Sequence, residues 1–405
     1  MNIVYVTSTY PSLTETFVSR EIEQVVQTSN KVTICILKPF FPETSYKAMR
    51  VKNALEIRFT YNVLLLLICF FKICITKPIS FFKCFAEAII SALRKPSRAH
   101  HILYFFVASV WFGSRKELQD SEFIHCHFLH SESITTRWLS VFLDVPYGIT
   151  AHITRIRFDQ RTIKRVVNNA SVCIGDTNET VSLLQKYGNT NVILNRNGVD
   201  IDHITFKPPA HRLEGISPPF ILAVGSLIHC KGFHVLIKAC SILNELGIPF
   251  KCEIVGDGVE RSFLETLIFG LNMNGEIEMT GALSMDELLL KYKEATLLAM
   301  PIISSPSGSD GLPTVIIEAM ATGLPVIGTD YAAIPDILIN KETGLLVEPE
   351  EPESLALAIK EIITNEELYY KVVNSGREKV EREFDIRKNS IRLIRLIGSV
   401  ISDSI

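Results

Sequence analysis

Short apolar runs alternate along this chain with longer stretches whose apolar residues recur at helical spacing. Residues 2–7 are β-rich and break at Ser8-Thr9-Tyr10-Pro11. Residues 15–27 then carry Phe17, Ile22, Val25 and Val26 in a helical pattern, and 31–37 (KVTICIL) read as the next strand. Strand, loop, helix and strand at this spacing open a doubly wound α/β domain, in which ligands sit at the carboxyl ends of the strands. Further strands are predicted at 123–128, 146–150, 171–174 and 191–194, with a helix at 180–186 behind the cap cluster Asp176-Thr177-Asn178-Glu179. Residues 206–219, rich in proline and polar residues, interrupt the pattern and mark a boundary. The alternation then resumes, with strands at 220–224, 250–255, 277–281, 296–300, 325–329 and 344–347. Helices are predicted near 235–246, 286–292, 314–321, 353–363, 366–383 and 386–401.

A length of 405 residues suits two such domains, 1–207 and 208–385. Lys and Arg number 41 against 44 Asp and Glu, so there is no basic surplus and nucleic-acid binding is not expected. The nine cysteines form no CxxC pair and many lie in apolar runs, as thiols of a reducing compartment do. The opening MNIVYVTSTYP reads as a first strand and not a signal peptide, so a cytoplasmic location is expected.

Residues 61–113 stand apart. A 13-residue run without charge, 59–71, is shorter than the ~20 residues that span a bilayer. Lys72, Lys77, Lys83, Arg94, Lys95 and Arg98 then interleave with Phe81, Phe82, Phe85, Ile89 and Ile90, and Glu87 is the one acid between Tyr61 and Trp111. The pattern suits the surface of an anionic membrane, and its plainer alternative is a pair of helices packed on the first domain with solvated lysines.

Candidate chemistry collects at predicted strand ends. His125 and His127 alternate with Cys126, so the triplet is no compact metal claw, and with no second ligand cluster in view no metal is expected. His152 follows the strand at 146–150 and belongs at the cleft end of the sheet. In the loop after the first strand, Ser-Leu-Thr-Glu-Thr-Phe places Glu15 and Thr16 where a substrate would pass; Glu15 otherwise helps start its helix. In the second domain Gly225-Ser226 and Lys231-Gly232 lie between a strand and a helix, a good arrangement for reading a diphosphate. Gly256-Asp257-Gly258 follows the next strand and fits nucleobase or ribose contact.

The most informative stretch is PIISSPSGSDGLPTVIIEAMATGLPV, from Pro301 to Val326. A Ser/Pro/Gly loop runs to Asp310-Gly311, turns at Leu312-Pro313 and enters a helix from Thr314 that closes on Thr322-Gly323. Free backbone N–H groups and the positive end of the dipole at such a start favour an anion. Asp310 before it and Glu318 within it can take sugar or ribose hydroxyls.

Asp310-x7-Glu318 followed by AMATGLPVIGT resembles the acidic-x7-Glu motif of retaining glycosyltransferases of the GT-B fold, the large family of bacterial polysaccharide and lipid-glycan enzymes. Leu-Thr-Glu-Thr-Phe resembles its exopolysaccharide, colanic-acid-type branch, and Asn197-Gly198-Val199-Asp200 resembles the motif that ends the first domain. The resemblance implies two Rossmann-like domains facing across a cleft, an acceptor-binding 1–207 and a nucleotide-sugar-binding 208–385, with helix 386–405 crossing back. It implies transfer of a hexose from a UDP- or GDP-sugar to a glycan or lipid-linked acceptor, with retention and without a metal or other cofactor. His152 and Asp310 would lie at the reacting centre. Gly225, Ser226, Lys231, Gly256, Asp257, Gly311, Leu312, Pro313, Thr314 and Glu318 would bind the donor, with Glu15 and Thr16 on the acceptor side. Three positions depart from the family pattern. Ser226 stands where an Arg is common, Arg155 where an Asp follows the His, and Asp310 where Glu is usual. These departures keep two rivals open, a non-catalytic subunit retaining the fold and a nucleotide-sugar epimerase.

Overall fold

The computed structural model describes residues 1–12, 16–28, 30–38, 51–152, 158–209, 218–304 and 312–403. They divide into two compact units, Met1–Arg196 with Ile386–Ile405, and Asn197–Asp385.

The first unit is built on a parallel sheet of seven strands: β1 (Asn2–Thr7), β2 (Lys31–Ile36), β3 (Leu55–Arg58), β4 (Phe123–His127), β5 (Tyr147–Ala151), β6 (Val172–Gly175) and β7 (Val192–Leu194). Their order is β3-β2-β1-β4-β5-β6-β7, so the winding reverses between β1 and β4. β4, β5 and β6 are buried along their whole length, the mark of parallel strands covered on both faces. Edge strand β3 escapes the sequence pattern because only Ile57 of its four residues is buried. The registers Val6↔Cys126, His127↔Thr150 and Thr150↔Ile174 align the carboxyl ends of β1, β4, β5 and β6. Helix Ile386–Asp403 packs on helix Thr16–Gln27, and its Leu393 and Ile397 join Ile22 and Val25 in one core cluster.

The second unit repeats the plan with six parallel strands: β8 (Phe220–Val224), β9 (Lys251–Val255), β10 (Ile277–Gly281), β11 (Leu297–Met300), β12 (Val326–Thr329) and β13 (Leu345–Val347), in the order β10-β9-β8-β11-β12-β13. It begins earlier than the linker composition indicates. Val199 donates its N–H to the Phe384 carbonyl at 2.9 Å and pairs with Asp385, Lys207 N–H bonds the Thr322 carbonyl at 3.0 Å, and Val199 and Ile204 share a core with Met320 and Phe384. Backbone pairing thus assigns 197–207 to the second unit, where the sequence alone counts them with the first.

The unusual region of the first unit forms helices Val63–Thr76, Pro78–Arg94 and Ala99–Gly113. The first two meet at a bend of 119°, and no single described helix is long and apolar enough to cross a membrane. Cys69, Ile73, Phe81, Cys84 and Ala88 face the core. Their other faces are apolar as well: Val63, Leu64, Leu67, Ile68, Phe71 and Ile75 on the first helix are exposed, as are Ile79, Phe82, Phe85, Ile89, Ile90 and Leu93 on the second. Two of the lysines of this region, solvated in the plainer reading, are instead bonded to backbone carbonyls of the same unit. Lys72 Nζ donates to the Ser114 carbonyl at 2.8 Å, and Lys77 Nζ donates to the Phe142 carbonyl. Glu87 accepts from Arg137 and from the Trp138 indole.

Candidate active site

The sequence-derived residues fall into two groups, one in each unit. Glu15, Arg155, Asp310 and Gly311 lie outside the described residues.

In the second unit the candidates gather at the carboxyl ends of three neighbouring strands. The loop after β8 carries Gly225, exposed Ser226 and half-buried Lys231, and the loop after β9 carries Gly256 and exposed Asp257. The segment after β11 leads to Leu312, Pro313 and Thr314. Backbone bonds bind these loops together: Leu227 N–H to the Asp257 carbonyl (2.9 Å), Glu260 N–H to the Leu227 carbonyl (3.0 Å) and Ile303 N–H to the Cys230 carbonyl (2.9 Å). Two glycines permit this closeness. A Cβ on Gly256 would lie 1.9 Å from the Gly225 carbonyl oxygen, and one on Gly232 (φ +66°) would lie 1.8 Å from that of Pro301. The Lys231 stem passes over Gly225, where an added Cβ would be 3.5 Å from its Cδ and Cε. Asp257 turns its carboxylate onto the Gly258 N–H at 2.8 Å.

Helix Thr314–Ala321 starts at Pro313 with no side-chain cap. Among the described residues no side chain caps its first turn, the arrangement that suits an anion. Glu318 is buried, 4% exposed, and accepts a bond from the Tyr292 hydroxyl at 3.4 Å. A concavity of about 620 Å³ runs along edge strand β10 and the starts of β8 and β9, lined by Phe220, Lys251 and Glu276 among others. It lies away from these loops and holds none of the candidates.

In the first unit His152 emerges just beyond β5, 5% exposed. Its Nδ1 is 2.7 Å from Asp176 Oδ2, and its Nε2 is 3.1 Å from His127 Nδ1. The two imidazole planes differ by 11° with centroids 5.4 Å apart, which is an edge-to-edge, nearly coplanar junction. His127 Nε2 then meets Glu21 Oε1 at 3.2 Å, and the same oxygen accepts the Tyr5 hydroxyl at 2.9 Å. At the far end Thr180 donates to Asp176 Oδ1 at 3.1 Å. Phe17 and Phe128 close over His152, each ring centroid 4.8 Å away. Thr16 opens the helix that carries both Phe17 and Glu21.

Burial works against the Glu21 carboxylate, yet the neighbouring His127, its hydrogen bond and the Tyr5 hydroxyl hold the group down at about 2. Burial, and secondarily the Glu21 charge, pushes the Tyr5 phenol well above its usual value. His125 is lowered to about 3, mainly by burial; it faces Thr150 Oγ1 at 2.9 Å.

Asp176 and Glu21 are the residues that the sequence reading missed. Asp176 reads as part of a helix cap, but Thr177 makes the cap bond to Thr180 N–H, leaving Asp176 for His152. An acid thus reaches the histidine from β6, although position 155 is Arg. Glu21 gives a fainter signal, being the acid at i+4 from Phe17 and i−4 from Val25 on the inward stripe of its helix. It also stands beside His125 and His127, and the three bring donor atoms within 4.8 Å of one another.

Two parallel-sheet Rossmann-like units, with candidate residues at their strand ends, define the GT-B class of fold. Solved structures agree. UDP-bound HepE of Anabaena matches 98% of this chain and 100% of its own, with a TM-score of 0.72 at 16% identity. Sucrose-phosphate synthase of Thermosynechococcus elongatus matches all of both chains, with a TM-score of 0.71 at 19% identity. At such identities the likeness concerns the fold. Residues 210–379 match the family described as Glycosyl transferases group 1, so the chain carries a domain of that family. WcaL of Escherichia coli, named for colanic acid biosynthesis, is 33% identical over 210 residues, half of each chain. The amylovoran biosynthesis glycosyltransferase AmsK of Erwinia amylovora is 31% identical over 169 residues, 42% of each. These alignments span about half or less of the curated relatives they match.

Proposed function

We propose that this protein is a glycosyltransferase of exopolysaccharide assembly, moving a hexose from a UDP- or GDP-sugar to a glycan or lipid-linked acceptor with retention. The observation that carries the reading is the joining of the β8, β9 and β11 loops around Lys231, beside an uncapped helix start. Fixed cationic and N–H groups at such a place stabilise the charge that develops on a departing diphosphate. In this reading they do so without a metal, while Asp310 and His152 serve the sugar. The UDP in the HepE structure supports a uridine donor first. Incubating the purified protein with UDP- and GDP-sugars, with and without acceptor and with and without chelator, tests it. Glycosyl transfer or slow donor hydrolysis supports a transferase. Epimer formation, or nucleotide binding without turnover, replaces it with one of the rivals.

The bent pair Val63–Thr76 and Pro78–Arg94 supports a peripheral seat on the cytoplasmic membrane face, with a changed balance of forces. Surface attraction gives ~1 kcal/mol per free cation, and two of the lysines are engaged internally. Full burial of one Leu, Ile or Phe side chain gives about 1.5–3 kcal/mol, and twelve large apolar side chains are exposed on the pair. Vesicle binding should therefore survive high salt and fall with Phe71→Ser, Ile79→Ser and Phe82→Ser combined. Flotation abolished by salt alone would return the contact to charge, and no flotation with any vesicle would remove it.

A further inference from the structure

The line Asp176–His152–His127–Glu21 permits a count of protons. It contains three polar contacts, of 2.7, 3.1 and 3.2 Å. Each joins two atoms that are acceptors when bare, so each needs one hydrogen between them. Two neutral imidazoles bring only two. We propose that His127 and His152 together carry a third proton, a single positive charge held between the Glu21 and Asp176 carboxylates. Glu21 and His127 are then positioning residues. They occupy the Nε2 of His152, so that His152 meets a substrate as part of a fixed cation and not as a base. That last role rests on the transferase reading; the proton count stands without it.

The groups around the line agree with this assignment. Tyr5, from β1, already donates to the Glu21 oxygen that faces His127, so the carboxylate is served as an acceptor from two sides. Thr180 does the same for Asp176. Glu132, on the helix after β4, takes the Ser131 hydroxyl. His125 remains neutral through burial.

A metal among Glu21, His125 and His127 would also fill the third contact, and His125 argues against it. Its Nε2 is 4.0 Å from Glu21 Oε1 but 2.9 Å from Thr150 Oγ1. A metal on that nitrogen would put the ring proton on Nδ1, which is buried with no partner among the described residues. A stranded buried N–H costs the full loss of its hydration, whereas donation to Thr150 leaves only a bare acceptor there.

Nitrogen NMR of the full chain labelled in its ten histidines, assigned with His127→Asn and His152→Asn, tests the count. Three protonated nitrogens across these two rings from pH 6 to 8, unchanged by chelator, are expected. In Glu21→Gln the amide supplies the hydrogen to His127, and the number falls to two while the protein remains folded. Two protonated nitrogens in the unaltered protein, or bound zinc at one equivalent whose removal changes the signals, overturns the proposal. Where transfer is measurable, its pH profile should be flat from pH 6 to 8. Glu21→Gln should bring an ionisation into that window and lower kcat about tenfold or more, with the donor KM unchanged. An unaltered profile in Glu21→Gln overturns the positioning role. Absence of transfer by the unaltered protein counts against the transferase reading and leaves the NMR result to decide the proton.

Discussion

The two candidate regions are made from different material. The loops of the second unit are held by backbone, with N–H and carbonyl groups crossing at glycines and charged side chains such as Lys231 and Asp257 standing beside them. The relay of the first unit is made almost wholly of side chains, drawn from β1, β4, the ends of β5 and β6 and one helix, each satisfying the next. A backbone site fails when the chain is displaced. A side-chain relay fails when one charge is removed. The first should be sensitive to volume and tolerant of pH, and the second the reverse.

The largest test of this contrast is Gly256→Val. Its branched carbon would enter space held by the Gly225 carbonyl oxygen, so a stability loss of more than about 3 kcal/mol is expected, together with loss of UDP binding, measured by chemical unfolding and calorimetry. Near-normal values for both would show that the loops need no close approach. Lys231→Ala should follow, with a penalty of roughly 1.5–3 kcal/mol in transition-state stabilisation. Initial rates should drop alike for every donor sugar, and a drop that varied with the sugar would move Lys231 from the phosphates to the sugar pocket.

A finer test separates the two acids of the second unit. Asp310→Ala should cut turnover while calorimetry finds nucleotide affinity nearly unchanged. Glu318 needs a gentler change, because its burial beside Tyr292 means that alanine would also open the core. Glu318→Gln keeps the shape and an acceptor for Tyr292. Weakened UDP binding in this variant assigns Glu318 to the ribose; unaltered binding makes it a structural group.

The smallest effect belongs to the buried groups in and beside the relay and is a matter of acid. Folded His125 is lowered from 6.5 to about 3, so below pH 6.5 the unfolded chain binds a proton that the folded one refuses. Stability is full above 6.5 and declines as pH falls, by about 2 kcal/mol from this residue between pH 6.5 and 5. Glu21 is lowered from 4.5 to about 2, and it adds a second decline from 4.5 downward. Thermal melts should therefore fall steadily on acidification. His125→Asn should flatten the part above pH 5, and an unchanged slope in that variant would clear His125 of the effect.

This difference in material also explains what could be read from sequence. Gly225, Lys231-Gly232, Gly256-Asp257-Gly258 and Leu312–Thr314 were visible because a backbone site leaves local spelling: a strand end, a glycine, a helix start. Both sheets were visible for the same reason, as apolar runs at regular intervals. The relay left little, since Glu21 is 106 residues from His127 and only the parallel winding brings them together. Asp176 was in plain view but had a sufficient local explanation as a cap. The outward faces of 63–94 are the converse: the lysines stand out in the sequence, while period alone does not say which apolar side chains the core leaves uncovered.

Helix Ile386–Asp403 has a consequence for how the protein is made. It belongs to the first unit, with Leu393 and Ile397 fully buried beside Ile22 and Val25, yet it follows the whole second unit in sequence. A chain growing from the ribosome has every strand of its first sheet by Leu194 but must wait for some two hundred more residues before that core is closed. The second unit, synthesised later, can finish earlier. The order of completion is then the reverse of the order of synthesis, and the side of the first core that awaits Leu393 and Ile397 is what a chaperone would meet on the nascent chain.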